Sequence, residues 1–218
     1  MKYKIFGITS VILLSLFVFA GYYYKGQQTE KFGAISQENG SVFERDYSQS
    51  LGSDDAKVQL VEFMDPACET CAAFSPFVKK MMAYYPGKIK LVLRYAPFHD
   101  GADEFVKMLE ASKKQGRYWE TLDVMFKSQP QWASHSNPQP QRIWDFLPKA
   151  GLDIEQLKED MKDPALEKLI KQDLADAKTL QVQKTPGFFA NGKPLQNFGY
   201  RQLQSLIESE IKANYPDE

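Results

Sequence analysis

The sequence is poor in the side chains that bind metal ions and in clustered positive charge. It has 2 cysteines and 2 histidines, His99 and His135, among 218 residues, whereas a structural zinc site usually takes four such ligands. The formal net charge is -1 and no run of lysine or arginine stands out, so electrostatics give no basis for binding nucleic acid or an anionic surface. There is also no internal repeat. These absences argue against a zinc finger, a nucleic-acid-binding protein and a repeat protein.

The two cysteines that are present, Cys68 and Cys71, lie close together in the stretch DPACETCAAF. A disulfide between them closes a loop too short to constrain much of the unfolded chain. A chain of this length also does not depend on one small covalent staple. A structural bridge therefore explains little. We predict a redox-active pair, and we expect neither a metal nor a separate cofactor in its chemistry.

The N-terminus has the pattern of an export signal. Lys2 and Lys4 precede an apolar run from Ile5 to Tyr24, and a short basic region before an apolar stretch directs export. Two outcomes stay open, cleavage before Gly21 or retention of residues 1–24 as a membrane anchor. Both place the rest of the chain in the periplasm or at the extracytoplasmic face of a bacterial cytoplasmic membrane, where disulfides persist.

The first half of the chain predicts a linker followed by a βαβ unit. Residues 25–53 are rich in glycine, glutamine, serine and charge without periodicity, which is typical of a linker. Residues 58–64 form an apolar run that predicts a buried strand, and a helical pattern containing both cysteines follows it. A second strand is predicted at residues 89–95. Short connections between a strand, a helix and a strand indicate a right-handed crossover with parallel strands.

Helical spacing dominates residues 101–178, and the strand pattern returns only afterwards. Asn191-Gly192, between two apolar stretches, is the strongest short hairpin signal in the chain. A final helix is predicted around Leu203 to Ile211. We therefore expect an α/β fold in which a helical insertion, residues 101–178, divides a domain made of residues 54–100 and 179–218.

The predicted place of the cysteines distinguishes their chemistry. Cys68 follows a strand and a turn and opens the helix, where unpaired N–H groups and the helix dipole stabilise a thiolate and lower its pKa. Cys71 lies one turn further into the helix. We predict that Cys68 is the nucleophile and that Cys71 is the resolving thiol, which releases mixed disulfides.

Two further positions each have an ordinary and a functional interpretation. Glu62, in the first strand, either faces solvent or is a carboxylate buried beneath Cys71; burial would raise its pKa and let it accept the Cys71 proton. Thr185-Pro186 is either an ordinary turn or a cis X-Pro bond that presents the preceding backbone to a peptide. For this second site the local sequence by itself favours the turn.

The motifs VEFMDPACETC and VQKTPGFFANGK, with a proline-containing helix between them, resemble the thioredoxin superfamily. Within it they are similar to the exported DsbA-like thiol:disulfide oxidoreductases, over roughly Ala56 to Ala213. The resemblance implies a thioredoxin fold with an inserted α-helical domain. It also implies that Glu62 is a buried acid that assists proton transfer, that Pro186 is a cis-proline facing the cysteines, and that Thr185 contacts the substrate backbone.

The sequence departs from the family pattern at two places. Glu69 and Thr70 stand between the cysteines where DsbA-type oxidases typically have Pro-His, and Gly187 replaces a β-branched residue. A carboxylate at position 69 repels a thiolate and the histidine partner is missing, so we expect a less depressed pKa for Cys68 and a milder oxidant. Gly187 is expected to widen the peptide groove. His99 is interpreted as a loop residue without a catalytic role.

The expected function is thiol:disulfide exchange with cysteine-containing exported proteins. The pair would act as a moderate oxidase that a quinone-linked membrane partner of the DsbB type re-oxidises. The sequence leaves open a reductase or isomerase that depends on a DsbD-like thiol donor. It also leaves open a non-enzymatic chaperone or a metal-binding module on the same fold.

Overall fold

The computed structural model describes residues 12–24, 26–27, 30, 40–134 and 138–216. Residues 12–24 are helical and their side chains are exposed. Within the ranges just given, no helix combines the length and the apolar character needed to cross a bilayer. The first part of the predicted export signal, residues 1–11, and His135 lie outside the described residues.

A mixed sheet of five strands forms the centre of the described chain. The strands are β1 (Gln49–Leu51), β2 (Val58–Met64), β3 (Ile89–Tyr95), β4 (Gly187–Ala190) and β5 (Lys193–Pro194). Their order in the sheet is β1-β3-β2-β4-β5. Strands β2 and β3 pair in parallel, and the other neighbours pair antiparallel. The predicted strands at 58–64 and 89–95, and the parallel crossover between them, are confirmed.

The helices follow the predicted order, with one between β2 and β3, a block of four before β4, and one after β5. Asp163 caps the last helix of the block by accepting a hydrogen bond from Ala165 N–H at 2.9 Å. The architecture is the expected sheet divided by a helical insertion. The helices are α1 (Glu69–Tyr84), α2 (Ala102–Ser112), α3 (Tyr118–Ser128), α4 (Ile154–Asp160), α5 (Pro164–Thr179) and α6 (Tyr200–Asn214).

Both faces of the sheet are covered, which explains why β2 is apolar almost throughout. Side chains alternate between the two faces of a strand. Leu60 and Met64 belong to the cluster formed with α1 and the helical block, whereas Val61 and Phe63 belong to a smaller cluster on the opposite face. Glu62 has the same parity as Leu60 and Met64, so it lies on the face that α1 covers.

The prediction of a linker up to residue 53 is wrong for residues 40–53. Strand β1 pairs with β3, and Val42 and Phe43 are buried. Arg45 donates hydrogen bonds of 2.9 and 2.7 Å to the carboxylate of Asp176. The hydrophobic periodicity of the sequence does not predict this ordered segment. A short strand, two adjacent apolar side chains and an ion pair hold it in place, and none of these produces a repeating pattern along the chain.

Arg94 of β3 is also fully buried, although it is charged. It donates hydrogen bonds of 2.6 Å to Asp173 and to Asp176, and one of 2.7 Å to the carbonyl of Val42. A buried charge is tolerated only when it is paired in this way. The network joins β3, α5 and the N-terminal segment, and it fixes the helix that leads into β4.

Candidate active site

The turn after β2 places Cys68 at the start of α1. Cys68 has an extended backbone (φ -79°, ψ 116°) and is the N-cap residue of the helix. Its Sγ accepts a hydrogen bond from the backbone N–H of Cys71, with an S–N distance of 3.4 Å. Both cysteines are free thiols and both are buried. The predicted position of Cys68 at the helix start is therefore confirmed.

The pKa values of the two thiols are shifted in opposite directions. The pKa of Cys68 is lowered from 9.0 to about 6, chiefly because the Cys71 side chain hydrogen-bonds to its sulfur, with further hydrogen bonds from Thr185 and from the backbone of Cys71 and Thr70. The pKa of Cys71 is raised well above 9.0, first by burial and then by its hydrogen bond to Cys68. Glu69 is exposed. One sulfur of the pair is therefore stabilised as a thiolate and the other as a thiol.

Glu62 is buried, with 4% of its surface exposed, so the interpretation of this residue as solvent-facing is wrong. Burial raises its pKa from 4.5 to about 8, and the charge of Cys68 contributes in the same direction. The charge of Glu62 in turn raises the pKa of Cys71. The carboxyl is therefore coupled electrostatically to both cysteines.

The Thr185–Pro186 peptide bond is cis, so the ordinary-turn interpretation is wrong here too. The backbone carbonyl of Thr185 lies 3.3 Å from Sγ of Cys68, which donates to it. The structure thus brings together the five residues to which the sequence analysis assigned roles in exchange: Glu62, Cys68, Cys71, Thr185 and Pro186.

A groove has a volume of about 560 Å³. Its lining includes Thr70, which stands between the two cysteines in the sequence, together with Pro186, Val182 and Phe198. Gly187 does not widen it, because a Cβ added at that position would lie 2.8 Å from Cγ1 of Val182. The expectation from the missing side chain is therefore wrong: Val182 occupies the space.

Asp65 and His99 form a contact that the sequence analysis did not foresee. Asp65 is fully buried and accepts hydrogen bonds from the N–H groups of Ala67, Phe98 and His99 at 2.8, 2.8 and 2.9 Å. Nδ1 of His99 lies 2.7 Å from the same carboxylate. The backbone carbonyl of Asp65 also accepts from Cys68 N–H at 3.0 Å. Asp65 therefore fixes the turn that positions Cys68. In the sequence, the only local indication of such a turn is an aspartate followed by a proline.

Possible ligands for a metal ion do not cluster in the described part of the chain. No three histidine, cysteine, aspartate or glutamate side chains are grouped so that they could hold one. The site consists of thiols, one carboxyl group and backbone.

Known proteins share this architecture. A family model described as thioredoxin matches residues 44–209. A probable disulfide bond formation protein D of Bacillus anthracis is 30% identical over 181 residues, which covers 78% of this chain and 82% of that protein. BdbD from Bacillus subtilis, in its oxidised crystal structure, superposes with a TM-score of 0.66 at 26% identity, covering 76% of this chain and 94% of that one.

A longer relative contains a similar segment. The Na(+)/H(+) antiporter NhaA of Herminiimonas arsenicoxydans is 27% identical over 168 residues, which covers 77% of this chain. The same alignment covers 26% of the antiporter. This chain therefore spans about a quarter of the length of that relative.

Proposed function

The chain belongs to the thioredoxin family, in its DsbA-like branch, and from that premise we propose that it is an exported protein thiol:disulfide oxidoreductase working through Cys68 and Cys71. The observation that carries the proposal is the opposite displacement of the two thiol pKa values, down to about 6 at Cys68 and upward at Cys71. One sulfur is ready to attack or to leave as a thiolate, and the other is held as a thiol. Thiol–disulfide exchange needs this division of roles.

In the oxidising direction, a substrate thiolate attacks Sγ of Cys68 in the Cys68–Cys71 disulfide. The bond between the enzyme sulfurs breaks, and Cys71 leaves with the electron pair and takes a proton from the Glu62 carboxyl. A second substrate thiolate then attacks the substrate sulfur of the mixed disulfide. This step releases the product disulfide and Cys68 as its stabilised thiolate. Two electrons pass from two substrate thiols to the cysteine pair.

Re-oxidation reverses the proton transfer. The Cys68 thiolate attacks a disulfide of the membrane partner, whose S–S bond breaks; one partner sulfur leaves as a thiolate and the other forms a mixed disulfide with Cys68. The Glu62 carboxylate accepts the proton of Cys71. The Cys71 sulfur then attacks Cys68, expels the second partner sulfur as a thiolate and restores the enzyme disulfide. A pKa of about 8 suits Glu62 to both directions, because an acid–base group works best when its pKa is near the ambient pH.

Thr185 and Pro186 are proposed to bind the substrate backbone. The Thr185 carbonyl lies 3.3 Å from Sγ of Cys68, so a substrate cysteine that reacts there brings its own main chain alongside residue 185. The groove between Thr70 and Phe198 offers space for the residues that flank this cysteine.

The pKa of Cys68 supports a moderate oxidase. A pKa of about 6 leaves about nine-tenths of the sulfur as thiolate at pH 7. Relative to an unperturbed thiol, this stabilises the reduced form by about 1.4 kcal/mol, or about 30 mV for a two-electron couple. Glu69 and Thr70 are the proposed tuning positions, since a carboxylate beside Cys68 opposes further stabilisation of the thiolate.

The proposed substrates are cysteine-containing exported proteins, met in the periplasm or at the extracytoplasmic face of the membrane. Residues 1–24 are assigned to the export signal or anchor. Residues 101–178 are assigned to the insertion, and residues 54–100 and 179–218 to the thioredoxin domain, which we extend to include the β1 segment. A DsbB-like partner would re-oxidise the pair.

Trapping tests the proposal directly. Cys71→Ala should accumulate mixed disulfides with exported proteins through Cys68, and Cys68→Ala/Cys71→Ala should accumulate none. The redox state of the wild-type pair in cells gives the direction, with a mostly oxidised pair expected for an oxidase. A mostly reduced pair would instead assign a reductase or isomerase. Absence of both trapped species and insulin reduction would reject the enzyme function.

A further inference from the structure

The turn between β2 and α1, residues 65–68, is in contact with both cysteines of the site. Its last residue is Cys68, whose backbone N–H donates to the carbonyl of Asp65 at 3.0 Å. The pKa of Cys71 is raised first by burial, then by a hydrogen bond with Cys68 and by the charge of Glu62. A hydrogen bond from the backbone of Asp65 acts in the opposite direction and lowers this pKa. The interactions that hold Asp65 in place therefore also hold a backbone donor against the Cys71 sulfur.

The carboxylate of Asp65 is fully buried, and its two oxygens have different partners. Oδ1 accepts from Ala67 N–H within the turn at 2.8 Å. Oδ2 accepts from the backbone N–H groups of Phe98 and His99 at 2.8 and 2.9 Å, and Nδ1 of His99 lies 2.7 Å from it. Because an ionised carboxylate only accepts hydrogen bonds, Nδ1 is the donor in this contact. Of these four contacts, the one from Nδ1 is the shortest and is the one made by a side chain.

The imidazole ring of His99 connects this buried carboxylate to the surface. The side chain of His99 is 34% exposed, whereas that of Asp65 is 0% exposed. The loop that carries His99 is joined to the end of β2 by Ala96 N–H, which donates to the carbonyl of Met64 at 2.8 Å. A buried carboxylate is stable only while its hydrogen bonds are made. Loss of the Nδ1 donor would therefore displace Asp65 and the turn that is built on it.

We propose that His99 is a positioning residue for the attack on the enzyme disulfide: through the Asp65 carboxylate it holds the backbone donor that faces Cys71, the sulfur that has to leave. The inference rests on the proposed function. In that step a thiolate attacks Sγ of Cys68, the Cys68–Cys71 bond breaks, and the electron pair of this bond passes to Cys71. A sulfur leaves faster when its pKa is lower, so the backbone donor accelerates the step.

The thiolate of Cys68 does not depend on the same donor. The hydrogen bonds that chiefly lower its pKa come first from the Cys71 side chain, then from Thr185 and from the backbone of Cys71 and Thr70. Asp65 makes none of these bonds. Loss of the His99 contact should therefore slow a reaction in which Cys71 leaves and should spare a reaction in which Cys68 attacks.

Glutathione, as the thiol and as the disulfide, measures these two reactions separately. In the first, the oxidised protein is mixed with excess reduced glutathione, whose thiolate attacks Cys68 and expels Cys71. In the second, the reduced protein is mixed with oxidised glutathione, which Cys68 attacks while Cys71 stays a thiol. Acid quenching and mass spectrometry give the initial loss of the starting protein in each case. His99→Phe keeps a ring but has no donor, and it should slow the first reaction about two- to fivefold and leave the second unchanged.

Two further substitutions identify the nitrogen that is responsible. Asparagine places an amide nitrogen where Nδ1 of histidine stands, and glutamine places one where Nε2 stands. His99→Asn should restore the wild-type rate of the first reaction, whereas His99→Gln should be as slow as His99→Phe. Asp100→Asn, at an exposed neighbouring position, is the control and should react at the wild-type rate.

A wild-type rate of the first reaction in His99→Phe would overturn the proposal. Equal slowing of both reactions would do the same, because it would indicate a general disturbance of the site. If His99→Phe does not fold, His99→Gln provides the test, and a wild-type rate of the first reaction there would overturn the proposal. Failure of the proposed function looks different, since neither form of glutathione would then react at Cys68 of the wild-type protein.

Discussion

The backbone carbonyl of Thr185 lies 3.3 Å from Sγ of Cys68, although 117 positions separate the two residues. The contact joins the segment before β4 to the first turn of α1, so the helical insertion between them returns the chain to the cysteines. The sulfur that is stabilised as a thiolate is thus also the one beside the backbone proposed to bind substrate. Sγ of Cys68 is therefore both the reactive atom and the atom next to the backbone that is proposed to align the substrate.

The thiolate of reduced Cys68 should titrate with a midpoint near pH 6. The absorbance of the thiolate at short ultraviolet wavelengths measures this directly. Cys68→Ser should remove the transition. Cys71→Ala should move it to higher pH, because the largest stabilising interaction of the thiolate is the hydrogen bond from the Cys71 side chain. An unchanged midpoint in Cys71→Ala would show that the helix start alone lowers the pKa.

Glu69→His should make the protein a stronger oxidant. The substitution removes a carboxylate beside the Cys68 thiolate and supplies a partner that can be positively charged, so the reduced form is stabilised further. We expect the redox potential to rise by about 10 to 30 mV in equilibration with glutathione. Glu120→His, at an exposed position on α3, is the matched control and should leave the potential unchanged. A Glu69→His variant with no higher potential than wild type contradicts the argument.

Local sequence predicted the elements that carry a strong local pattern. Strands β2 and β3 stand out as apolar runs bounded by turns. The hairpin at Asn191 and Gly192 follows from two residues that tolerate positive φ, and they have φ values of 47° and 78°. These elements need no information from distant parts of the chain. They establish the sheet and the place of Cys68 at the helix start.

Contacts between distant segments could not be predicted in this way. Arg45 reaches Asp176 across 131 positions, and nothing near either residue signals the pair. The local sequence left both interpretations of Glu62 open and favoured an ordinary turn at Thr185-Pro186. The family resemblance implied the functional interpretation at both positions. The hydrogen bond between Asp65 and His99 was missed for the same reason, since it depends on how the loop after β3 folds over the end of β2.

Gly187 and Val182 should behave as a coupled pair. A Cβ at position 187 would lie 2.8 Å from Cγ1 of Val182, closer than side-chain carbons approach, so Gly187→Ala should destabilise the fold by about 1 to 3 kcal/mol. Val182→Ala removes the opposing atom. The double variant should therefore be more stable than the sum of the two single changes predicts. Urea unfolding gives the free energy of unfolding of the wild type, the two single variants and the double variant. If the two single changes in this free energy simply add, the loop accommodates the new Cβ without help from Val182.

Glu62 should make the oxidised protein less stable as the pH rises. Burial is the larger of the two causes that raise its pKa above 4.5 in the reduced chain, and it persists in the oxidised chain. The folded state therefore binds more protons than the unfolded state in the window between 4.5 and the raised pKa of the folded chain. The free energy of unfolding therefore falls with increasing pH across this window. The oxidised form is used because its cysteines do not titrate.

Glu62→Gln removes the ionisation and should flatten this dependence. At pH 8 the variant should melt about 4 °C or more above the wild type. The two should lie closer together at pH 4.5, where the unfolded carboxyl group is half protonated and its proton uptake differs less from that of the folded one. Thermal unfolding of both oxidised proteins from pH 4.5 to 8.5 provides the comparison. Glu120→Gln, on the surface, controls for the loss of a charge. A wild-type protein whose stability rises through this window would show that the Glu62 carboxylate is stabilised in the fold, and its proposed role as proton donor to Cys71 would then be lost.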